Sequence, residues 1–107
     1  MCREIKNEEL LSLIRKIDDN KEILLETITL SEKVIWGGVG DEDKCREIYI
    51  TNRGIIEKIV LYKYGQFQNG RGPDRMIQDI KHYSFEESIN IIAKNEKYQV
   101  QIKQEVF

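Results

Sequence analysis

Leu10, Leu13, Ile14 and Ile17 recur at i, i+3, i+4 and i+7, one apolar stripe that predicts a helix over about 7–18. Asn7 ahead of Glu8 and Glu9 reads as an N-cap with acidic residues at the positive end of the helix dipole. Arg15 and Lys16 fall in the last turn, and Asp18-Asp19-Asn20 ends it.

Residues 22–36 satisfy two periods. Leu24, Leu25, Ile28, Ser31 and Ile35 would make a helical face ending at Gly37-Gly38. Thr27, Ile28, Thr29, Val34, Ile35 and Trp36 instead concentrate β-branched and aromatic side chains, and this favours a strand. Gly37-Gly38-Val39-Gly40 and the acidic Asp41-Glu42-Asp43 read as a turn or loop.

Arg46–Thr51 and Ile55–Tyr64 flank Asn52-Arg53-Gly54, a hairpin signal because Asn and Gly tolerate positive φ. In the first arm Ile48 and Ile50 share a face, with Glu47, Tyr49 and Thr51 on the other. In the second, Ile59 and Leu61 oppose Val60, Tyr62 and Tyr64. Apolar side chains on both faces predict a strand covered twice.

Ser84-Phe85-Glu86-Glu87 is a capping box, in which the serine oxygen accepts the N3 amide and Glu87 returns to the Ser84 amide. It predicts a helix over about 84–95 with Phe85, Ile89 and Ile92 buried. Lys97 to Lys103 alternates, with Tyr98, Val100 and Ile102 as the inward set, and predicts a last strand over about 97–103. The fold class expected is α+β: one domain over 1–107, an antiparallel sheet of about four strands with an N-terminal and a capped C-terminal helix.

Composition narrows the class. With 107 residues, 40% hydrophobic and 34% charged, the chain describes one soluble globular domain. No apolar run approaches the roughly 20 residues that span a bilayer, and Met1 to Lys6 carry no signal-peptide core, so a cytoplasmic location is expected. Seventeen isoleucines against one alanine reflect an AT-rich coding sequence and suggest a bacterial or phage source.

Net charge is −2, unevenly spread. Residues 1–47 carry eight Lys/Arg against twelve Asp/Glu, residues 48–82 six against three, and residues 83–107 three against four. The overall balance argues against duplex-DNA binding, and the basic middle third is where an anion would be favoured.

That third holds Gly65 to Arg75, with three of the seven glycines, the only proline and two of the six arginines. Such a density of backbone breakers predicts a shaped loop. Amides beside Gly70 and Gly72 can form an anion-binding nest, and Arg71 and Arg75 can grip a phosphate or carboxylate. Tyr64 and Phe67 can stack on a base or fill a partner's pocket, and Asn69 can hydrogen-bond. The segment matches neither a Walker motif nor a dinucleotide fingerprint.

Other candidates carry less. Pro73-Asp74, Asp79 and Lys81 are similar to a metal-dependent nuclease signature, which needs two carboxylates on one Mg²⁺ and a lysine near the attacking water. Here four residues separate the aspartates, where that family spreads these elements over successive strands. Trp36-Gly37-Gly38-Val39-Gly40 is similar to the Trp-Gly-Arg-Val-Gly centre of the WGR domain, but Gly38 replaces its arginine, and no residue is carried across. Asp41-Glu42-Asp43 does not match an EF-hand. His82 and Cys45 lack a local partner for acid–base or nucleophilic work, and Cys2 and Cys45 read as free thiols.

No catalytic residue, metal or cofactor is therefore expected. The sequence suggests a small non-catalytic binding protein, an inhibitor- or immunity-like interaction module using the loop 65–75. Its site residues would be Tyr64, Phe67, Asn69, Gly70, Arg71, Gly72 and Arg75. The alternative is a binder of a nucleotide or other phosphate compound through Arg71 and Arg75, at an oligomer interface. Either way no membrane partner is expected.

Overall fold

The structure, a computed structural model, describes residues 7–33, 41–64 and 74–106. Its elements run α1 (Asn7–Arg15), β1 (Ile23–Lys33), β2 (Glu42–Thr51), β3 (Gly54–Lys63), β4 (Asp74–His82), α2 (Phe85–Ala93) and α3 (Glu96–Val106). The strands form one antiparallel sheet in the order β1-β2-β3-β4, so each strand pairs with its neighbour in sequence.

The fold is α+β, as the patterning implies, but two elements differ from expectation. Residues 97–103 lie in α3 rather than a strand. Asn95 decides this: its Oδ1 accepts the Tyr98 amide at 3.2 Å and starts a helix. The alternation of Tyr98, Val100 and Ile102 also fits a helical face of Tyr98, Gln99 and Ile102, which are buried, whereas Val100 is exposed. Gln99 seals the helix–helix corner by donating to the carbonyls of Ile92 and Ala93 at the end of α2.

The fourth strand is β4, formed from Asp74–His82, residues read as loop and linker. Thus Asp74 and Arg75, assigned to the loop, belong to a strand. The acidic run is corrected too, because Glu42 and Asp43 begin β2. Residues 65–73 and the Trp36 to Gly40 segment lie outside the described residues.

The remaining expectations fit closely. β1 ends at Lys33 with strand, not helix, geometry. Helix α1 gives way after Arg15 to tighter Lys16-to-Leu13 and Ile17-to-Ile14 backbone bonds, and Ile17 stays buried. The side chain of Asn7 lies outside the described residues. Ser84 caps α2, its Oγ accepting the Glu87 amide at 3.1 Å.

The helices pack on one face of the sheet only. There Ile23, Ile50 and Ile55, aligned across β1, β2 and β3, meet Leu10, Leu13, Ile14, Ile89, Ile92, Tyr98 and Ile102 in a single core. On the opposite face Val60 is fully buried and Cys45 nearly so, so the middle of β3 is enclosed on both sides, as its apolar pattern implies. Further along the helix face, Glu57 takes the Tyr83 hydroxyl at 2.7 Å and pairs with Arg46 Nε at 2.8 Å, while Lys81 sits over the Tyr83 ring. Tyr98 reaches Glu26 on β1.

Ser88 joins the two layers. Its buried Oγ accepts the Ile55 amide at 2.8 Å and donates to the Ser84 carbonyl at 2.7 Å. The contact is close because Gly54 has φ +132°, and a Cβ there would stand 2.8 Å from Ser88 Oγ and 3.2 Å from the Tyr83 carbonyl. Asn52 and Arg53 keep negative φ; Thr51 Oγ1 holds the turn through the Arg53 amide and the Gly54 carbonyl. Ser88→Ala, which orphans a buried amide, should destabilise the fold by about 1–3 kcal/mol in urea unfolding. Gly54→Ala adds backbone strain to a steric clash and should lower the midpoint further.

Candidate functional site around Glu47

On the sheet face opposite the helices, alternation places Tyr49, Glu47 and Cys45 of β2 beside Ile56, Lys58, Val60 and Tyr62 of β3. Arg75, Ile77, Ile80 and His82 of β4 continue this face, because the register shifts once, between Ile59 and Val60. Glu47 is its centre. Its side chain is only 5% exposed, and a carboxylate so placed needs partners.

Three neighbours supply them. Tyr49 donates to Oε1 at 2.6 Å, Tyr62 donates to Oε2, and Arg75 Nη2 donates to Oε1 at 2.6 Å. Arg75 also donates to the Tyr49 hydroxyl at 3.3 Å. Lys58 lies over the Tyr49 ring and pairs with Glu22 at 2.7 Å. Charges thus alternate across the face, from Glu22 through Lys58 and Glu47 to Arg75.

Burial alone would raise the Glu47 pKa, but the hydrogen bonds from Tyr49, Tyr62 and Arg75 outweigh it and hold the carboxyl below its ordinary range. Burial and the same carboxylate push the Tyr49 phenol up to about 12. Hydrogen bonds to Glu47 and Tyr62 keep Arg75 firmly charged. The arrangement is an ion pair with phenol donors, whose carboxylate and guanidinium both stay charged across the neutral range. Sequence reading placed Glu47 and Tyr49 on one strand face but did not single out Glu47. A lone acid between apolar strand positions was the available signal.

Of the expected site residues, the structure places Tyr64 and Arg75; Phe67, Asn69, Gly70, Arg71 and Gly72 lie outside the described residues. The Tyr64 amide donates to the Asp41 carbonyl at 2.9 Å, and burial and Asp43 raise its phenol pKa. Arg75 is partly exposed, and its Nη2 is engaged by Glu47 at 2.6 Å.

The other candidates are not drawn together. Asp74 pairs with Lys63 and Asp79 with Ile59, four residues apart on β3 and so roughly 13 Å along the strand, too far to share one metal. Among the described residues no three His, Cys, Asp or Glu side chains gather within reach of one ion. Cys45 is buried opposite Val60, and His82 lies opposite Ile56, again four β3 residues away. His82 instead borders an open cavity of about 300 Å³ at the hairpin turn, with Asp19, Glu22, Asn52, Arg53 and Tyr83. Its acids are already engaged, Asp19 by Asn52 and Glu22 by Lys58.

The chain matches no family model, no curated protein and no solved structure. No helix among the described residues is long and apolar enough to cross a membrane.

Glu47→Ala should lower stability by about 2–3 kcal/mol, less than a fully buried pair would lose because Arg75 can rehydrate. With its pKa lowered in the folded state, Glu47 contributes stability that is present above the unfolded value of 4.5 and lost as pH falls through the folded value. Urea midpoints measured from pH 7 to pH 2 should show this decline. Glu47→Gln should flatten that part of the profile; an unchanged slope would place the titration elsewhere.

Proposed function

We propose that this chain is a small, non-catalytic binding protein of bacterial or phage type, acting in the cytoplasm as an inhibitor- or immunity-like interaction module. The Gly/Arg-rich segment 65–75 is its contact surface, and a protein is its partner.

One observation carries the reading: both feet of this segment are fixed while the sheet that bears it extends past the helical core. The Tyr64 amide is tied to Asp41 on one side, and Arg75 to Glu47 on the other. The molecule measures 50 × 30 × 24 Å, and its core lies at the Ile23, Ile50 and Ile55 end of the sheet. The Tyr64 and Asp74 end is the far one. A recognition segment held at fixed feet loses less entropy on binding than a free one.

The engagement of Arg75 by Glu47 supports a protein partner over a small anion. A phosphate would have to compete with a carboxylate already held at 2.6 Å. Arg71 and the aromatic side chains of Tyr64 and Phe67 suit a protein contact, where arginine and aromatic anchors dominate binding energy.

Affinity capture from bacterial lysate tests this, using the wild-type protein and a Phe67→Ala, Arg71→Ala variant. A single protein retained by the first and lost by the second, with matching thermal midpoints, is the expected result. A nucleotide that raises the midpoint, with the rise abolished by Arg71→Ala, would instead establish the ligand reading.

A further inference from the structure

We infer that two copies of this chain join through β4, laid antiparallel edge to edge about a two-fold axis, to make one continuous eight-stranded sheet. This pairing uses the outer edge of β4, which shares only Asp74 and Arg75 with segment 65–75, and it does not depend on residues 65–73 binding a partner.

β4 is the last strand in the sheet order, so its outer backbone groups face away from β3. All nine of its residues are exposed, and Met76, Ile77 and Ile80 are 49%, 44% and 45% exposed. A long edge of this kind, with large apolar side chains and no proline inside it, is a template for another strand. The opposite edge is less suited. β1 carries two register shifts in its ladder with β2, and Tyr98 of α3 reaches over to its Glu26.

Charge decides which strand fits. β4 begins with Asp74 and ends with Lys81 and His82, so its two ends are opposite in sign. The β3 register puts Asp74, Met76, Asp79 and Lys81 on the helix face, and Arg75, Ile77, Ile80 and His82 on the other. Antiparallel partners must share a face. Laying Asp74 of one copy against Lys81 of the other meets that condition at every pair outside the centre. Arg75 then opposes Ile80 and Met76 opposes Asp79, while at the axis Ile77 faces Gln78, the residue of the register shift. Two Asp74–Lys81 pairs form, one on each side of the axis, and Ile77 and Ile80 of both copies meet diagonally across the joint. Shifting the copies by two residues would set Arg75 against His82 and Met76 against Lys81, and would lose both ion pairs.

Self-pairing of β4 closes on itself, whereas β1-to-β4 pairing would propagate as a filament. In the closed pair the two Tyr64 and Asp74 ends lie at opposite ends of the joined sheet. Segments 65–73 would be presented twice.

Light scattering after size exclusion, from micromolar to millimolar chain, reads the assembly. The wild type should be a dimer whose dissociation constant rises about ten-fold or more in Asp74→Lys and in Lys81→Asp, each of which sets like charges opposite each other. Mixing these two variants should restore the dimer. In the mixed pair the introduced lysine faces the introduced aspartate, and the unaltered Asp74 of one copy faces the unaltered Lys81 of the other. In the wild type, amide exchange along β4 should slow as concentration rises, a readout that needs no variant. A wild type that stays monomeric overturns the inference. So does a dimer indifferent to both reversals, or one whose concentration-dependent protection falls outside β4.

Discussion

A carboxylate that is almost wholly buried in the middle of a sheet must be satisfied, and Glu47 is satisfied by side chains from three strands. Tyr49 and Glu47 itself lie on β2, Tyr62 on β3 and Arg75 on β4. A slip of one residue in either ladder would turn a donor to the other face and leave the charge unpaired. The helical core does not set register there, because the helices occupy the opposite face. The polar centre therefore fixes alignment where the hydrophobic core does not reach, and it fixes Arg75, the point where the chain re-enters the sheet.

The core does the complementary work at the other end. Ile23, Ile50 and Ile55 form one row across three strands, and the three helices close over it. Ser88 ties this closure to the hairpin, since its hydroxyl satisfies the first amide after Gly54. Helix α2 can seat only where the turn between β2 and β3 has no Cβ in the way. The division is physical: apolar burial and one serine hold the helical end, and hydrogen-bonded charge holds the projecting end.

Much of this was legible. The stripe of α1, the Ser84 cap of α2 and the hairpin about Asn52-Arg53-Gly54 each carry an unambiguous local signal, and each formed. Where a segment satisfied two periods, longer-range contacts decided. Tyr98-Gln99-Val100-Gln101-Ile102 alternates as a strand would, but the Asn95 cap and the bonds from Gln99 to the end of α2 favour a helix. β4 was illegible for the opposite reason. Its outward face is polar and apolar side chains mixed, it follows a run of glycines, and its identity as a strand comes from pairing with β3. The site was half legible: the strand face of Glu47 and Tyr49 was visible, but Arg75 drew a ligand assignment because nothing local reveals a partner 28 residues away.

The engagement of Arg75 by Glu47 has a structural meaning. An arginine beside a glycine-rich segment can serve a ligand only if its charge is available, and here a buried carboxylate holds it with two phenols nearby. The same engagement makes it a rigid anchor, because moving Arg75 would uncover a charge that burial has made costly to leave unpaired. Tyr64 and Arg75 thus hold the ends of segment 65–73 by unlike means, one through its backbone and the other through its side chain. Recognition at such a segment would depend on the residues between these anchors, and its geometry on the sheet beneath them. Charge at Glu47 would then act on such recognition through position, by keeping the returning strand in register with β3, rather than through contact with a partner.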